Sequence, residues 1–302
     1  MIRALVIAGI ALAPSMSSAQ TVDTAATKQA ILSADRLLAS ETSRSGNEAF
    51  LRALAPDAAV LLPGQPILRG PDKARTALTA RYPSPSAYSW APVHAVVGSD
   101  GRFGCTMGYS RFTNALDSLK SEHRGIYLTC WMKGTDGKWK IAGTQRADSP
   151  GATPVFADSA TLPGGPHSSL VAGTGNQLAG AQDADSLFAM NGAEPAGPGP
   201  AFAMYAGSDA MMLGGAEFPR GPREIAAAFE GYSPERVIWW RPRRDVGAGS
   251  GGIAYTVGNS ISGPRAGKTG PSIYNKYMTV WRQEPDGRWL YVFDLGSPRP
   301  SS

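Results

Sequence analysis

The sequence predicts an α+β protein made of two diverged copies of one domain. Three observations carry that expectation. Short matches recur in one order about 150 residues apart, each copy reads as helices first and strands after, and a Gly-, Pro-, Ala- and Ser-rich stretch over 149–180 separates the copies. At 302 residues the chain has room for two cores, and its 36 Gly and 24 Pro fit many turns and an unstructured connection.

Residues 1–19 are set apart from the fold. Arg3 supplies a positive start, residues 4–13 a short apolar core, and Ser17, Ser18 and Ala19 the small residues of a cleavage site. A mature chain from Gln20, periplasmic or secreted, is expected. The apolar core is too short to span a bilayer, and no membrane insertion is expected.

The first domain (20–148) begins with helical periodicity over 24–43, where Ile31, Leu32, Leu37 and Leu38 recur, and Asn47 is placed to cap a second helix through Leu54. Residues 58–62 form a short apolar strand ended by Pro63 and Gly64, and Pro71 opens a third helix to about Tyr82. Four strands follow as an antiparallel meander, near 88–98, 102–112, 125–133 and 138–147, and the sheet must curl around the helices to bury one face. The second domain (181–302) repeats the plan. Trp131 to Trp139 (WMKGTDGKW) matches Trp281 to Trp289 (WRQEPDGRW), and Tyr127 and Thr129 match Tyr277 and Thr279. Thr106 and Gly108 match Thr256 and Gly258, Trp90 and Pro92 match Trp240 and Pro242, and Asp35 and Leu37 match Asp185 and Leu187. Arg69-Gly-Pro71 matches Arg220-Gly-Pro222 at a shift of 151.

The net charge is +5, with a local cluster at Arg241, Arg243 and Arg244. A solvated edge or a phosphate groove could account for that cluster. No broad basic stripe accompanies it, so no nucleic-acid partner is expected. The glycine run over 247–252 reads as a hairpin loop, without the strand-to-helix order of a phosphate loop. His94, His123 and His167 are too dispersed for a metal site, and no metal or cofactor is expected. The two cysteines, Cys105 and Cys130, become cross-strand neighbours if their strands form a simple hairpin. Either a disulfide or two buried thiols satisfies that placement.

The order helix, helix, Asp57-Ala-Ala-Val-Leu-Leu-Pro-Gly64, Arg-Gly-Pro opening a third helix, and a meander closing on Asp-Gly-x-Trp resembles the nuclear transport factor 2-like superfamily, SnoaL-like domains in particular. The resemblance covers 24–148 and 181–298. It implies two cone-shaped domains of the cystatin-like kind, each with three helices packed on a curved antiparallel sheet and a pocket between them. It does not imply one activity. Ketosteroid isomerases of this fold use a carboxylate before the Pro-Gly, and the matching positions hold Leu62 and Leu213. The oxyanion-holding Asp and Tyr of those enzymes fall at Thr129 and Leu38, and at Thr279 and Phe188. Isomerase chemistry of that kind is therefore not expected.

If Thr129 faces the pocket, as this mapping implies, alternation adds Tyr127 and Trp131, with Thr106, Gly108 and Ser110 on one side and Ala142 and Thr144 on the other. Cys105, Cys130 and Trp139 then lie on the opposite face. In the second copy the face holds Thr256, Ser260, Tyr277, Thr279, Trp281, Val292 and Asp294, with Asp294 placed opposite Tyr277. Asp294 and Tyr277 are the candidate catalytic pair, a general acid or base and its hydrogen-bond partner, unless Asp294 is a solvated strand-end residue. The hairpin tryptophans serve as core or as ligand stackers. Two functions are carried forward. In one the chain is a non-catalytic exported module that binds a small apolar ligand or associates through its sheets, the two domains pairing as an internal pseudo-dimer. The alternative is a small lyase, isomerase or cyclase in the second domain, working through Asp294 and Tyr277.

Overall fold

The structure, a computed structural model, describes residues 22–84, 87–114, 116, 118–119, 121–152, 173, 175–214 and 218–301. The expected cleaved segment, His167 and most of the expected linker (153–172 and 174) lie outside them.

Asp23 caps the first helix, α1 (Thr24–Ser45), by accepting the Ala26 amide at 2.9 Å. The buried face of α1 carries Ile31, Leu32 and Leu38, and also Asp35, a carboxylate set into an apolar stripe. In α2 (Asn47–Ala53) the N-cap is Gly46 rather than Asn47. The Asn47 amide instead donates to the Leu78 and Tyr82 carbonyls, tying α2 to the end of α3 (Gly70–Arg81). The Arg-Gly-Pro motif is steric in origin. Gly70 and Gly221 have φ of +73° and +64°, and a Cβ on either would collide with a carbonyl oxygen, that of Pro56 or Ser208.

The first sheet contains β1 (Leu54–Leu61), β2 (Leu68–Arg69), β3 (Ala87–Val97), β4 (Phe103–Thr113), β5 (Glu122–Lys133) and β6 (Trp139–Asp148), in the order β2-β1-β6-β5-β4-β3. The expected antiparallel meander β3 to β6 is present, and β1 joins β6 in parallel, so the sheet is mixed. In the second half, α4 (Gln177–Gly192) starts within the stretch expected to be linker, because Asn176 caps it through the Ala179 amide at 3.1 Å. It is followed by α5 (Pro198–Tyr205), β7 (Ala206–Leu213), α6 (Gly221–Ala227), β8 (Arg236–Ser250), β9 (Ile253–Pro264), β10 (Ile273–Gln283) and β11 (Trp289–Pro298), with sheet order β7-β11-β10-β9-β8. Among the described residues no helix is long and apolar enough to cross a membrane.

Each sheet has two buried faces. One covers its own helices. The other meets the second sheet in a shared apolar cluster that includes Met107, Leu128, Tyr255, Val257, Met278 and Val280. Cys105 and Cys130 are register partners on that shared face and form a disulfide. Polar ties cross between the halves. The Tyr255 hydroxyl donates to the Ala142 carbonyl at 2.7 Å, and the buried Lys276 ammonium to the Leu62 carbonyl at 2.7 Å. Strand alternation breaks at several places, two of them equivalent positions in the last strand of each half. Bulges at Cys130/Trp131 and Val280/Trp281 each put an extra residue into the last strand. Ala142 and Val292, expected in the pockets, therefore face the other sheet, while Trp139 packs on the helix side rather than beside the cysteines.

Candidate functional site

At the centre of the first domain Asp35 accepts three hydrogen bonds. They come from Trp90 Nε1 at 2.7 Å, Thr106 Oγ1 at 2.7 Å and the Tyr127 hydroxyl at 2.9 Å. Trp131 Nε1 donates to Thr106 Oγ1 at 3.0 Å, and the Thr129 and Thr144 hydroxyls are 2.9 Å apart. Burial pushes the Asp35 carboxyl above its ordinary range, against the pull of those hydrogen bonds and of the Arg146 guanidinium. The second domain repeats the network. Asp185 accepts from Thr256 Oγ1 at 2.7 Å and from the Tyr277 hydroxyl at 3.0 Å, and Trp281 Nε1 donates to Thr256 Oγ1 at 2.9 Å.

The candidate pair Asp294 and Tyr277 needs correcting. With the bulge in β11, Tyr277 lies opposite Gly296 and Asp294 opposite Thr279. Tyr277 gives its hydroxyl proton to Asp185, and Asp294 takes the Thr279 hydroxyl at 2.6 Å. Asp294 is close enough for its charge to disfavour ionisation of Asp185. Burial, opposed by the Thr256 and Tyr277 hydrogen bonds and reinforced by Asp294, raises Asp185 to about 7. Burial raises Asp294 to about 6, against the Thr279 hydrogen bond.

The two interiors differ most at one position. Tyr127 pairs with Arg146 in the first domain, and Tyr277 pairs with Gly296 in the second. Arg146 is buried, with only 3% of the residue exposed. Its Cζ lies 4.6 Å from the centre of the Tyr127 ring, 4.9 Å from Trp90, 5.3 Å from Phe50 and 5.7 Å from Tyr88. Thr106, Tyr127, Thr129, Trp131 and Thr144, expected to line a pocket, are instead buried at 2% exposure or less around this filled interior. At Gly296 no atom comes closer than 4.0 Å to where a Cβ would stand, and the second domain opens into a cavity of about 540 Å³.

Aromatic side chains of Phe188, Phe202, Phe229, Trp240 and Tyr277 form much of the cavity wall, with Leu213 at one side and Thr279 and Asp294 among the polar groups. Asp294 sits deep in the protein while keeping part of its surface open to this space. Thr256 and Trp281, also expected to line it, are fully buried behind the wall. The hairpin tryptophans Trp131, Trp281 and Trp289 belong to the cores. At the β8 edge Arg243 pairs with Asp245 at 2.7 Å and Arg244 with Asp183 at 2.6 Å, so two of the three clustered arginines face acidic partners. Among the described residues no group of His, Cys, Asp and Glu is arranged to hold a metal ion.

In the sequence alone Asp35 and Asp185 stand out only as matching positions of the repeat. Their signal was available: Ile31, Asp35 and Leu38 share one helix face, and a carboxylate on that face must be buried. Arg146 and Gly296 carried no local signal.

Each half of the chain packs three helices on one sheet. This is the α+β arrangement that the resemblance implies. Solved structures similar to part of this chain include a ketosteroid isomerase-like protein from Erwinia carotovora atroseptica, with 17% identity and a TM-score of 0.34, covering 39% of this chain and 94% of that one. An NTF2-like protein with a cystatin-like fold from Novosphingobium aromaticivorans has 15% identity and a TM-score of 0.34, covering 42% and 84%. An NTF-2 like protein of unknown function from Shewanella oneidensis has 15% identity and a TM-score of 0.32, covering 40% and 96%. No protein-family model and no curated protein matches the chain.

Proposed function

We propose that the chain is an exported, non-catalytic binding protein whose second domain takes one small ligand into the cavity beneath Gly296. The first domain is then a scaffold, paired with the second through the sheet faces as an internal pseudo-dimer. The observation that carries this reading is the exchange of Arg146 for Gly296 at equivalent points of two otherwise matching interiors. One interior is filled by its own side chain; the other offers a volume in the range of small-molecule sites, with an apolar, aromatic wall and few polar groups. The disulfide on the shared face is compatible with an oxidising compartment. Denaturing the purified chain and analysing the extract by mass spectrometry tests the proposal. One equivalent of a small molecule is expected from the unmodified chain and none from Gly296→Trp, which fills the space; an empty, compact monomer in both cases would count against it.

Asp294 keeps a second reading open, because a carboxyl raised to about 6 and facing a cavity suits proton transfer. In that reading Thr279 positions the carboxyl and Tyr277 is engaged by Asp185. Turnover of an extracted ligand, lost in Asp294→Asn, would establish it.

A further inference from the structure

The first domain shows what its own interior accommodates, and that is a guanidinium group. Phe50, Tyr88, Trp90 and Tyr127 surround the Arg146 head, with Asp35 as the nearby opposite charge. Each of these positions has a counterpart in the second domain. Phe50 and Phe202 stand four residues before the strand residues that pair with Ile141 and Tyr291, respectively. Tyr88 and Trp90 correspond to Ile238 and Trp240 through their ladder partners, and Tyr127 corresponds to Tyr277. All four counterparts line the cavity, and three of them remain aromatic. Phe188 and Phe229 add two more ring faces.

The charges complete the comparison. In the first interior one carboxylate, Asp35, faces one guanidinium. In the second, Asp185 keeps the place of Asp35, and a further carboxyl, Asp294, replaces Thr144. Among the described residues none of those lining the cavity is Lys or Arg. The second interior thus keeps the rings and doubles the acid, while the cation that balanced the first is gone. A ring face attracts a cation through its quadrupole, and the attraction is strongest where water is excluded.

We propose that the second-domain cavity binds a small organic cation, a guanidinium or alkylammonium head on a short apolar body, in the place where Arg146 sits in the first domain. The head lies among Phe202, Trp240 and Tyr277 and offers its N–H groups to Asp294, while the body lies against Phe188 and Phe229. This deepens the ligand-binding proposal above and rests on it.

Calorimetric titration of the purified chain with n-butylguanidinium, its neutral isostere n-butylurea and pentanoate tests the class of ligand. One butylguanidinium per chain is expected, with butylurea and pentanoate each weaker by at least about ten-fold, the scale of one desolvated cation–ring contact. Gly296→Arg is expected to abolish that binding while melting no lower than the parent, because it supplies the cation from within. Asp294→Thr, which restores the residue of the first domain, is expected to weaken butylguanidinium by about ten-fold or more and to leave butylurea unchanged. Butylurea or pentanoate binding as tightly as the cation would overturn the cation proposal and leave the ligand-binding reading standing. If none of the three binds and denatured protein releases no small molecule, both fall.

Discussion

Arg146→Ala should be among the most damaging single changes in the first domain. The side chain is almost wholly buried, its guanidinium contacts four rings between 4.6 and 5.7 Å, and its charge helps hold Asp35 in the ionised form. Removing one partner of a buried charge pair costs about 3–5 kcal/mol, because the other is left uncompensated. The cation–ring contacts contribute about 0.5–2 kcal/mol and fall within that figure rather than adding to it. Asp35 retains its bonds from Trp90, Thr106 and Tyr127, which keeps the loss toward the lower end. At about 2–4 °C per kcal/mol for a chain of this size, Tm falls by about 10 °C. Urea denaturation followed by tryptophan fluorescence measures the loss, and millimolar methylguanidinium should restore part of it where methylurea does not. Arg146→Met separates charge from volume: its deficit should grow as pH rises and shrink as pH falls and Asp35, already raised by burial, takes up a proton. A loss below about 1 kcal/mol for Arg146→Ala, or a Met variant indifferent to pH, would refute the assignment of Arg146 as the charge that fills this interior.

Other consequences can be measured on the same preparation. Asp185 and Asp294 titrate at about 7 and about 6 in the folded chain, above the ordinary carboxyl value, so the native state binds more protons than the unfolded state between about pH 4 and 7. Their contribution to stability is present below about pH 4 and is lost as pH rises through 6–7. Asp294→Asn, which keeps an acceptor for Thr279, should flatten that decline in pH-dependent melts, and an unchanged slope would contradict the assigned burial. Tyr277 and Tyr291 also face these carboxyls, and burial holds both phenols well above their ordinary range, out of this window. Lys276→Met should cost about 1–3 kcal/mol in urea, since the Leu62 and Pro298 carbonyls lose the ammonium that donates to them. Replacing both Cys105 and Cys130 by Ala opens a link across 25 residues and should lower stability by about 3 kcal/mol, read from the shift in urea midpoint.

Much of the fold was legible because the repeat aligns independent local signals. Arg-Gly-Pro marks the third helix of each half through a backbone clash that only Gly avoids, and Asp-Gly-x-Trp marks the closing hairpin. The regular β4–β5 ladder likewise let the Cys105–Cys130 pairing be read by counting from the loop. Counting failed in the last strand of each domain. A bulge adds one residue without a residue type that announces it, which reverses the faces of Ala142 and Val292 and, with the turn geometry, places Asp294 against Thr279. Asp35 and Asp185 were legible in principle from the helix stripe. The contrast between Arg146 and Gly296 was not, because an arginine on a strand reads as a solvated residue until the register aims it at Asp35 and four rings.

A crystal structure of the purified chain grown with n-butylguanidinium would show what occupies the second-domain cavity. One molecule should lie in the second-domain cavity, its guanidinium among Phe202, Trp240 and Tyr277 and within hydrogen-bond reach of Asp294, with the first domain closed around Arg146. A second cavity collapsed onto its aromatic walls, or a guanidinium bound only outside it, would contradict the account.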